Sequence, residues 1–224
     1  MSSPRPDVTH VLFDLDGTLL DTAPDLAYAL NALCVRHGRP ALPYETIRPQ
    51  VSHGGAALVR LGFGIDDHAP GFEALRRELL DLYHANVARA SRLFDGMDAL
   101  LETIERAGLV WGIVTNKPGW LTAPLLDALG LESRPACVVS GDTLPQRKPH
   151  PAPLLHAAAC MDGAPARCLY IGDAARDIEA GHAAGMITMA ALYGYIPADE
   201  DPLSWNATAY VATPPDIGRW LALA

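Results

Sequence analysis

Asp14, Asp16, Thr115, Lys148, Asp173 and Asp177 are far apart along the chain, yet together they are the side chains that could act on one charged group. Asp14 and Asp16 end the apolar run Val11-Leu12-Phe13, and on an extended backbone both carboxylates project the same way. Such a pair makes a hard, oxygen-rich pocket suited to Mg²⁺. Gly17 lets the chain turn and Thr18 adds a hydroxyl. Phosphoryl transfer needs this mixture: a nucleophile in line with phosphorus, cations against the spreading negative charge, and an acid for the leaving oxygen.

On that chemistry Asp14 is the expected nucleophile, forming an aspartyl-phosphate that water later cleaves. Asp14, Asp173 and the backbone carbonyl of Asp16 could hold Mg²⁺, with water and a phosphate oxygen completing about six ligands. Asp177 follows Asp173 by about one helical turn and can reach the same metal or its waters. Lys148 would add fixed positive charge and Thr115 a hydrogen bond, leaving Asp16 as general acid and then base. Each residue alone has a plainer reading. Lys148 could be an ordinary surface or structural lysine, Thr115 the cap of a helix near Gly119, and Asp177 a solvated first-turn acid.

The elements that would position these groups alternate. Residues 11–13, 109–114, 136–139, 168–171 and 187–192 read as buried strands, with a small strand near Tyr210. Between and after them, residues 98–107, 121–129, 153–161 and 175–184, and a terminal segment near 217–223, have helical patterns, several closed by glycine. Strands separated by such helices imply right-handed crossovers and a doubly wound parallel sheet, whose carboxyl edge gathers distant strand ends. Residues 20–90 interrupt this rhythm with helical patterns only: 22–37, a short helix in 43–50, an apolar segment 56–61 after Ser52-His53-Gly54-Gly55, and a longer helix over 71–90. The expected architecture is an α/β Rossmann-like core of residues 1–19 and 91–224 with an inserted α-helical cap of residues 20–90.

At 224 residues and half hydrophobic, the chain can bury a sizeable core. A formal charge of −9 disfavours nucleic acid or an anionic membrane as partner, so any anion site must be local. Cys34, Cys137, Cys160 and Cys168 show no zinc or redox spacing; Cys137 and Cys168 read as buried thiols, pointing to a reducing cytoplasm. No apolar run approaches a membrane span, and the start, Met-Ser-Ser-Pro-Arg-Pro-Asp, lacks a signal-peptide core and reads as a loose tail.

Asp14-Leu15-Asp16-Gly17-Thr18-Leu19, Val114-Thr115-Asn116-Lys117, Arg147-Lys148-Pro149 and Gly172-Asp173 with Asp177 together resemble the four motifs of the haloacid dehalogenase-like hydrolase superfamily. The resemblance implies a nucleophile at Asp14, acid/base chemistry at Asp16, phosphate binding at Thr115, Asn116 and Lys148, and Mg²⁺ binding by Asp14, Asp16, Asp173 and Asp177. Ala174 departs from the pattern, since many relatives carry a polar residue there. Within the superfamily the chain is similar to phosphoglycolate phosphatases and to bacterial N-acetylmuramic acid 6-phosphate phosphatases, the latter through Ser52-His53-Gly54-Gly55-Ala56 and Ala191-Leu192-Tyr193-Gly194-Tyr195. Ser52, His53 and Gly54 could then meet a substrate carboxylate, although His53 reads equally as a plain turn residue. The implied partner is a small phosphorylated metabolite, acted on by a monomer or homodimer. A phosphomutase, or a binding switch controlled by a phosphoaspartate, are the competing readings.

Overall fold

The computed structural model describes residues 7–223, so the expected amino-terminal tail lies, Asp7 apart, outside the described residues. Its centre is β1 (His10–Phe13), whose last three residues are wholly buried. Val11 and Phe13 face one apolar cluster and Leu12 the opposite one, the period-two alternation of a strand covered on both sides.

After β1 come β2 (Leu20–Asp21), α1 (Ala23–Arg36), α2 (Tyr44–Ile47), α3 (Gly54–Phe63) and α4 (Phe72–His84). They are followed by β3 (Arg92–Leu93), α5 (Met97–Arg106), β4 (Val110–Val114), α6 (Gly119–Ala128), β5 (Cys137–Val139), α7 (Ala152–Cys160) and β6 (Cys168–Gly172). The chain continues through α8 (Ala175–Ala183), β7 (Ile187–Ala191), β8 (Ala209–Val211) and α9 (Pro214–Trp220). The main sheet runs β5-β4-β1-β6-β7-β8 with every pairing parallel. On one face α5 and α9 contribute Leu100, Leu101, Ile104 and Ile217; on the other α7 and α8 contribute Leu154, Ala157 and Ala180. This is the expected doubly wound sheet. Because β4 and β6 flank β1 on opposite sides, their connections diverge there and open a crevice at the carboxyl end of β1.

Helices α1 to α4 form the inserted cap. Its own core includes Leu26, Leu30, Leu33, Leu58, Val59, Phe72 and Leu79, and reaches the sheet domain through Leu121 and Tyr195. Burying each such side chain stabilises the fold by about 1.5–3 kcal/mol before entropy is counted.

Local differences from the sequence reading have identifiable causes. The helix expected over 71–90 ends at His84, where Asn86 Nδ2 caps the Leu82 carbonyl and Ala88 adopts a positive φ of 61°. The two-residue ribbon of β2 with β3 is too short to leave a periodic signal, yet it closes the base of the cap. The terminal helix starts three residues before Ile217, at Pro214, because Thr213 and Asp216 form a capping box. Cys168 is buried as expected, whereas Cys137, on the edge strand β5, is only half-buried.

The return from the cap is fastened by a buried carboxylate. Asp25 on α1 accepts from Ala90 N at 3.0 Å, Ser91 N at 2.9 Å and Ser91 Oγ at 2.7 Å. Asp25→Ala is expected to cost about 3 kcal/mol in urea unfolding, because it orphans buried N–H groups. Asp25→Asn should recover part of that loss.

Candidate active site

Asp14 follows β1 directly, and its backbone N–H donates to Ile171 O at 2.8 Å, so the strand pairing itself carries the residue to the sheet edge. Asp173 follows β6, the neighbouring strand, and Asp177 lies in the first turn of α8. One carboxylate oxygen from each of Asp14, Asp173 and Asp177 lies within 4.8 Å of the others, and all three residues are buried.

Lys148 sits among them. Its Nζ is 2.8 Å from Asp14 Oδ1 and 2.7 Å from Asp177 Oδ1, and donates to Val114 O at 3.0 Å. The loop that delivers it is held by Asn116, whose Nδ2 donates to Lys148 O at 3.0 Å and whose Oδ1 accepts from Lys148 N at 3.1 Å. Asn116 also lines the cavity above, but its amide is committed to the lysine main chain.

The surroundings of Asp173 are equally specific. Its Oδ2 accepts from Ser52 Oγ at 2.7 Å and Tyr195 N at 2.8 Å, while Thr18 Oγ1 donates to Oδ1 at 3.2 Å. Gly17 has φ +87°, and a Cβ there would stand 2.2 Å from Asp173 Oδ2, so both conformation and space demand glycine. Asp177 Oδ2 accepts from Ala174 N at 3.1 Å, a contact that needs no polar side chain at position 174.

The carboxylate of Asp16 stands apart from this trio. Lys117 Nζ donates to its Oδ1 at 2.9 Å and Thr22 Oγ1 at 2.5 Å. An expectation that Asp16 contacts a metal therefore rests on its backbone carbonyl. Thr115 does not cap α6: its Oγ1 accepts from Lys117 N at 3.1 Å, while the N–H of Gly119 is taken by Asp142 Oδ1 at 2.8 Å. The plain reading of Asp177 as a solvated acid also gives way, since it is fully buried and paired with Lys148.

Above the acids lies a cavity of about 670 Å³ lined by Asp14, Asp16, Thr115 and Lys117 from the core and by Ser52, His53, Gly54 and Tyr83 from the cap. His53 pairs with Glu200 at 3.5 Å across the two parts. Burial, with the nearby Arg176 guanidinium, pushes the His53 imidazole below its usual range. Arg176 donates to Ser52 O at 2.5 Å; burial opposes its charge, but Asp177, Asp14 and Asp173 outweigh that and hold it firmly protonated. Arg176 and Lys117 lie inside the stretches already singled out but carried no expected role. Their signal was a cation beside a motif acid, whose partner only the fold reveals.

Burial, then the neighbouring acids Asp177 and Asp173, push Asp14 up to about 7 despite Lys148. Burial and Asp177 likewise push Asp173 up to about 6 against its hydrogen-bond donors. Three buried carboxylates against the inserted Lys148 ammonium and the neighbouring Arg176 guanidinium still leave oxygen donors and negative charge in excess. That donor set fits a hard divalent cation.

A crevice at the fork of a parallel sheet, an acid cluster at its floor and a helical cap over it define a capped α/β protein whose acid cluster fits a divalent metal. The sequence comparison makes the class specific: the haloacid dehalogenase-like hydrolase family model matches residues 11–191, and the chain belongs to that family. It is 48% identical over 207 residues to the phosphoglycolate phosphatase of Xanthomonas campestris pv. campestris strain 8004, covering 92% of this chain and 93% of that one. It is 44% identical over 213 residues to the N-acetylmuramic acid 6-phosphate phosphatase of Pseudomonas aeruginosa, covering 95% and 94%. A crystal structure of a predicted phosphoglycolate phosphatase from Haemophilus somnus 129PT superposes with a TM-score of 0.84 at 26% identity, covering 95% of this chain and 97% of that one. Among the described residues no helix is long and apolar enough to cross a membrane.

The raised carboxyls set a pH dependence for the metal-free protein. An acid whose folded-state pKa exceeds its unfolded value lends stability while protonated and withdraws it as pH rises through the folded value. In chelator-treated protein, stability contributed by Asp173 and Asp14 should therefore be lost as pH climbs from the ordinary carboxyl value of 3.8 to about 6 and about 7 respectively. Thermal unfolding against pH checks this, and Asp14→Asn should flatten the slope.

Proposed function

We propose that this protein is a Mg²⁺-dependent phosphomonoesterase that hydrolyses a small phosphorylated metabolite through an aspartyl-phosphate on Asp14, with residues 20–90 as a cap over a core of residues 1–19 and 91–224. The observation that carries the reading is the buried Lys148 held between Asp14 and Asp177, with Asp14 lining the cavity. Asp14, Asp173, Asp177 and the Asp16 carbonyl would hold the metal, which when bound offsets the charge of the phosphoryl group and of the acids. Asp14 Oδ1 is occupied by Leu15 N at 2.7 Å as well as by Lys148, so its other oxygen is the one available to attack phosphorus. Lys148 and Thr115 would bind the phosphoryl oxygens, with Asn116 keeping the Lys148 loop in register. Asp16, with Oδ1 tied to Lys117 and Thr22, would give a proton from Oδ2 to the leaving oxygen and later take one from water. A binding switch has no use for this second acid, because a signalling phosphoaspartate gains nothing from built-in hydrolysis. The free thiols at Cys34, Cys137, Cys160 and Cys168 support a reducing compartment such as the cytoplasm.

The first substrate reading is 2-phosphoglycolate, supported by the relative of highest identity cited above. A second, N-acetylmuramic acid 6-phosphate, is favoured by the cavity. At about 670 Å³ it offers far more room than a two-carbon ester fills, and falls within the about 300–1,000 Å³ that encloses drug-sized ligands. Its rim carries Arg60, Arg76 and Arg147, guanidinium groups suited to the carboxylate that both esters possess.

Asp14→Asn is expected to lower phosphate release by at least about 10³-fold while leaving the far-UV circular dichroism unchanged; retained turnover would remove Asp14 from the reaction. Comparing kcat/KM for the two esters in one Mg²⁺ buffer ranks the substrate readings. A chromatographic check for an isomerised sugar phosphate separates hydrolysis from a mutase, which would return the phosphoryl group instead of releasing it.

A further inference from the structure

Tyr83, near the end of α4, is wholly buried, and its hydroxyl is the buried side-chain polar atom left without a hydrogen-bond partner among the described residues. An orphaned buried hydroxyl is costly, and such groups are normally satisfied by protein or by something bound. Tyr83 belongs to the cavity lining, with its hydroxyl covered in this structure. The Lys117 ammonium lies over the ring, 4.4 Å from its centroid, and the same ammonium is 2.9 Å from Asp16 Oδ1. Tyr83 is therefore the cap residue packed against the Asp16–Lys117 pair, on the side of the cavity where the proton donor meets the leaving group.

We propose that Tyr83 reads the leaving group: its hydroxyl donates a hydrogen bond to an oxygen that the alcohol part of the substrate carries beyond the ester oxygen. The inference rests on the phosphomonoesterase reading, with Asp16 on the leaving-group side. Burial keeps the phenol above its usual range, against the pull of Lys117, so it remains a neutral donor. The ring supplies a separate service, fixing the Lys117 ammonium by a cation–π contact. Hydroxyl and ring are therefore separable by substitution.

Tyr83→Phe keeps the ring and removes the donor. Phosphate release from 2-phosphoglycolate, N-acetylmuramic acid 6-phosphate and phenyl phosphate, whose leaving group has no second oxygen, is measured for wild type and variant in one Mg²⁺ buffer. The expected result is a fall of about tenfold in kcat/KM on whichever oxygen-bearing ester the wild type prefers, with phenyl phosphate within about twofold. The melting temperature should stay at or above that of the wild type, because an unpartnered buried hydroxyl has been removed. An equal loss on all esters, no loss on any, or a fall in melting temperature would overturn the assignment of Tyr83. A wild type that releases phosphate from none of them would overturn the phosphomonoesterase reading instead, and the inference built upon it.

Discussion

The structure depends on one buried cation. Lys148 reaches from the loop before α7 into a space bounded by Val114, Tyr170, Asp14 and Asp177, donating to the Tyr170 hydroxyl at 2.7 Å and lying beside two carboxylates. Without it, three acids at the ends of β1 and β6 would share a buried pocket with no hydrogen-bonded counter-charge on Asp14, leaving Arg176 as the remaining cation against their desolvation cost. With it, the pocket is tolerable but still carries an excess of carboxylate. A site balanced completely by protein cations would have no electrostatic use for a divalent ion, and one without Lys148 would be too repulsive to assemble before the ion arrived.

The cap is fixed to this site through groups that also serve the acids. Ser52 donates to Asp173 and, through its carbonyl, accepts from Arg176, so one cap residue contacts both an acid and a cation of the core. Tyr195 works from the other side: its N–H reaches Asp173, while its hydroxyl accepts from Thr22 N at 2.6 Å and Ala23 N at 2.9 Å where the chain enters the cap. Arg48 stacks 4.8 Å over the Tyr195 ring and donates to the carbonyls of Tyr193 and Gly194. Gly194 is pressed so close to Asp173 that a Cβ there would lie 2.2 Å from that residue's own Cβ. Position of the cap and geometry of Asp173 are consequently not independent variables.

How much of this could be read from the chain divides along physical lines. The alternation of β4, α6, β5, α7, β6, α8 and β7 leaves strong periodic patterns, because the strands inside the sheet are buried on both faces and each helix on one. The acids at Asp14 and Asp173 are visible because they stop apolar runs, and Asp177 because it lies one helical turn beyond Asp173. Partnerships across long separations left no such trace. Nothing local says that Lys117 pairs with Asp16, 101 residues away, or that Asn116 spends its amide on the Lys148 main chain. Helix ends decided by tertiary bonds were equally opaque, as at His84, where the chain leaves the helix to bring Ala90 and Ser91 to Asp25. Periodicity reports which face is buried, and capping reports local backbone satisfaction. Neither reports what a polar side chain finds on another element.

The overall charge of −9 sharpens the electrostatic problem, since the molecule as a whole repels an anionic ester. Attraction has to arise within about one Debye length, near 8 Å at physiological salt. The chain concentrates guanidinium groups at the cavity, with Arg60, Arg76, Arg147 and Arg176 all on its lining. Two of them are partly offset on the solvent side, Arg60 by Asp67 and Arg76 by Glu73. Exposed pairs of that kind are worth little and leave the guanidinium free to turn toward a better anion. Arg176 is different, because it is half-buried and held by the carboxylates beneath and the Ser52 carbonyl above. The rim arginines can therefore exchange partners as a ligand arrives, while Lys117 and Arg176 stay committed to the acids. Positive charge at the cavity thus falls into two tiers, exchangeable guanidinium groups at the rim and cations tied to the acids beneath, with the Tyr83 ring packed against Lys117 of the inner tier.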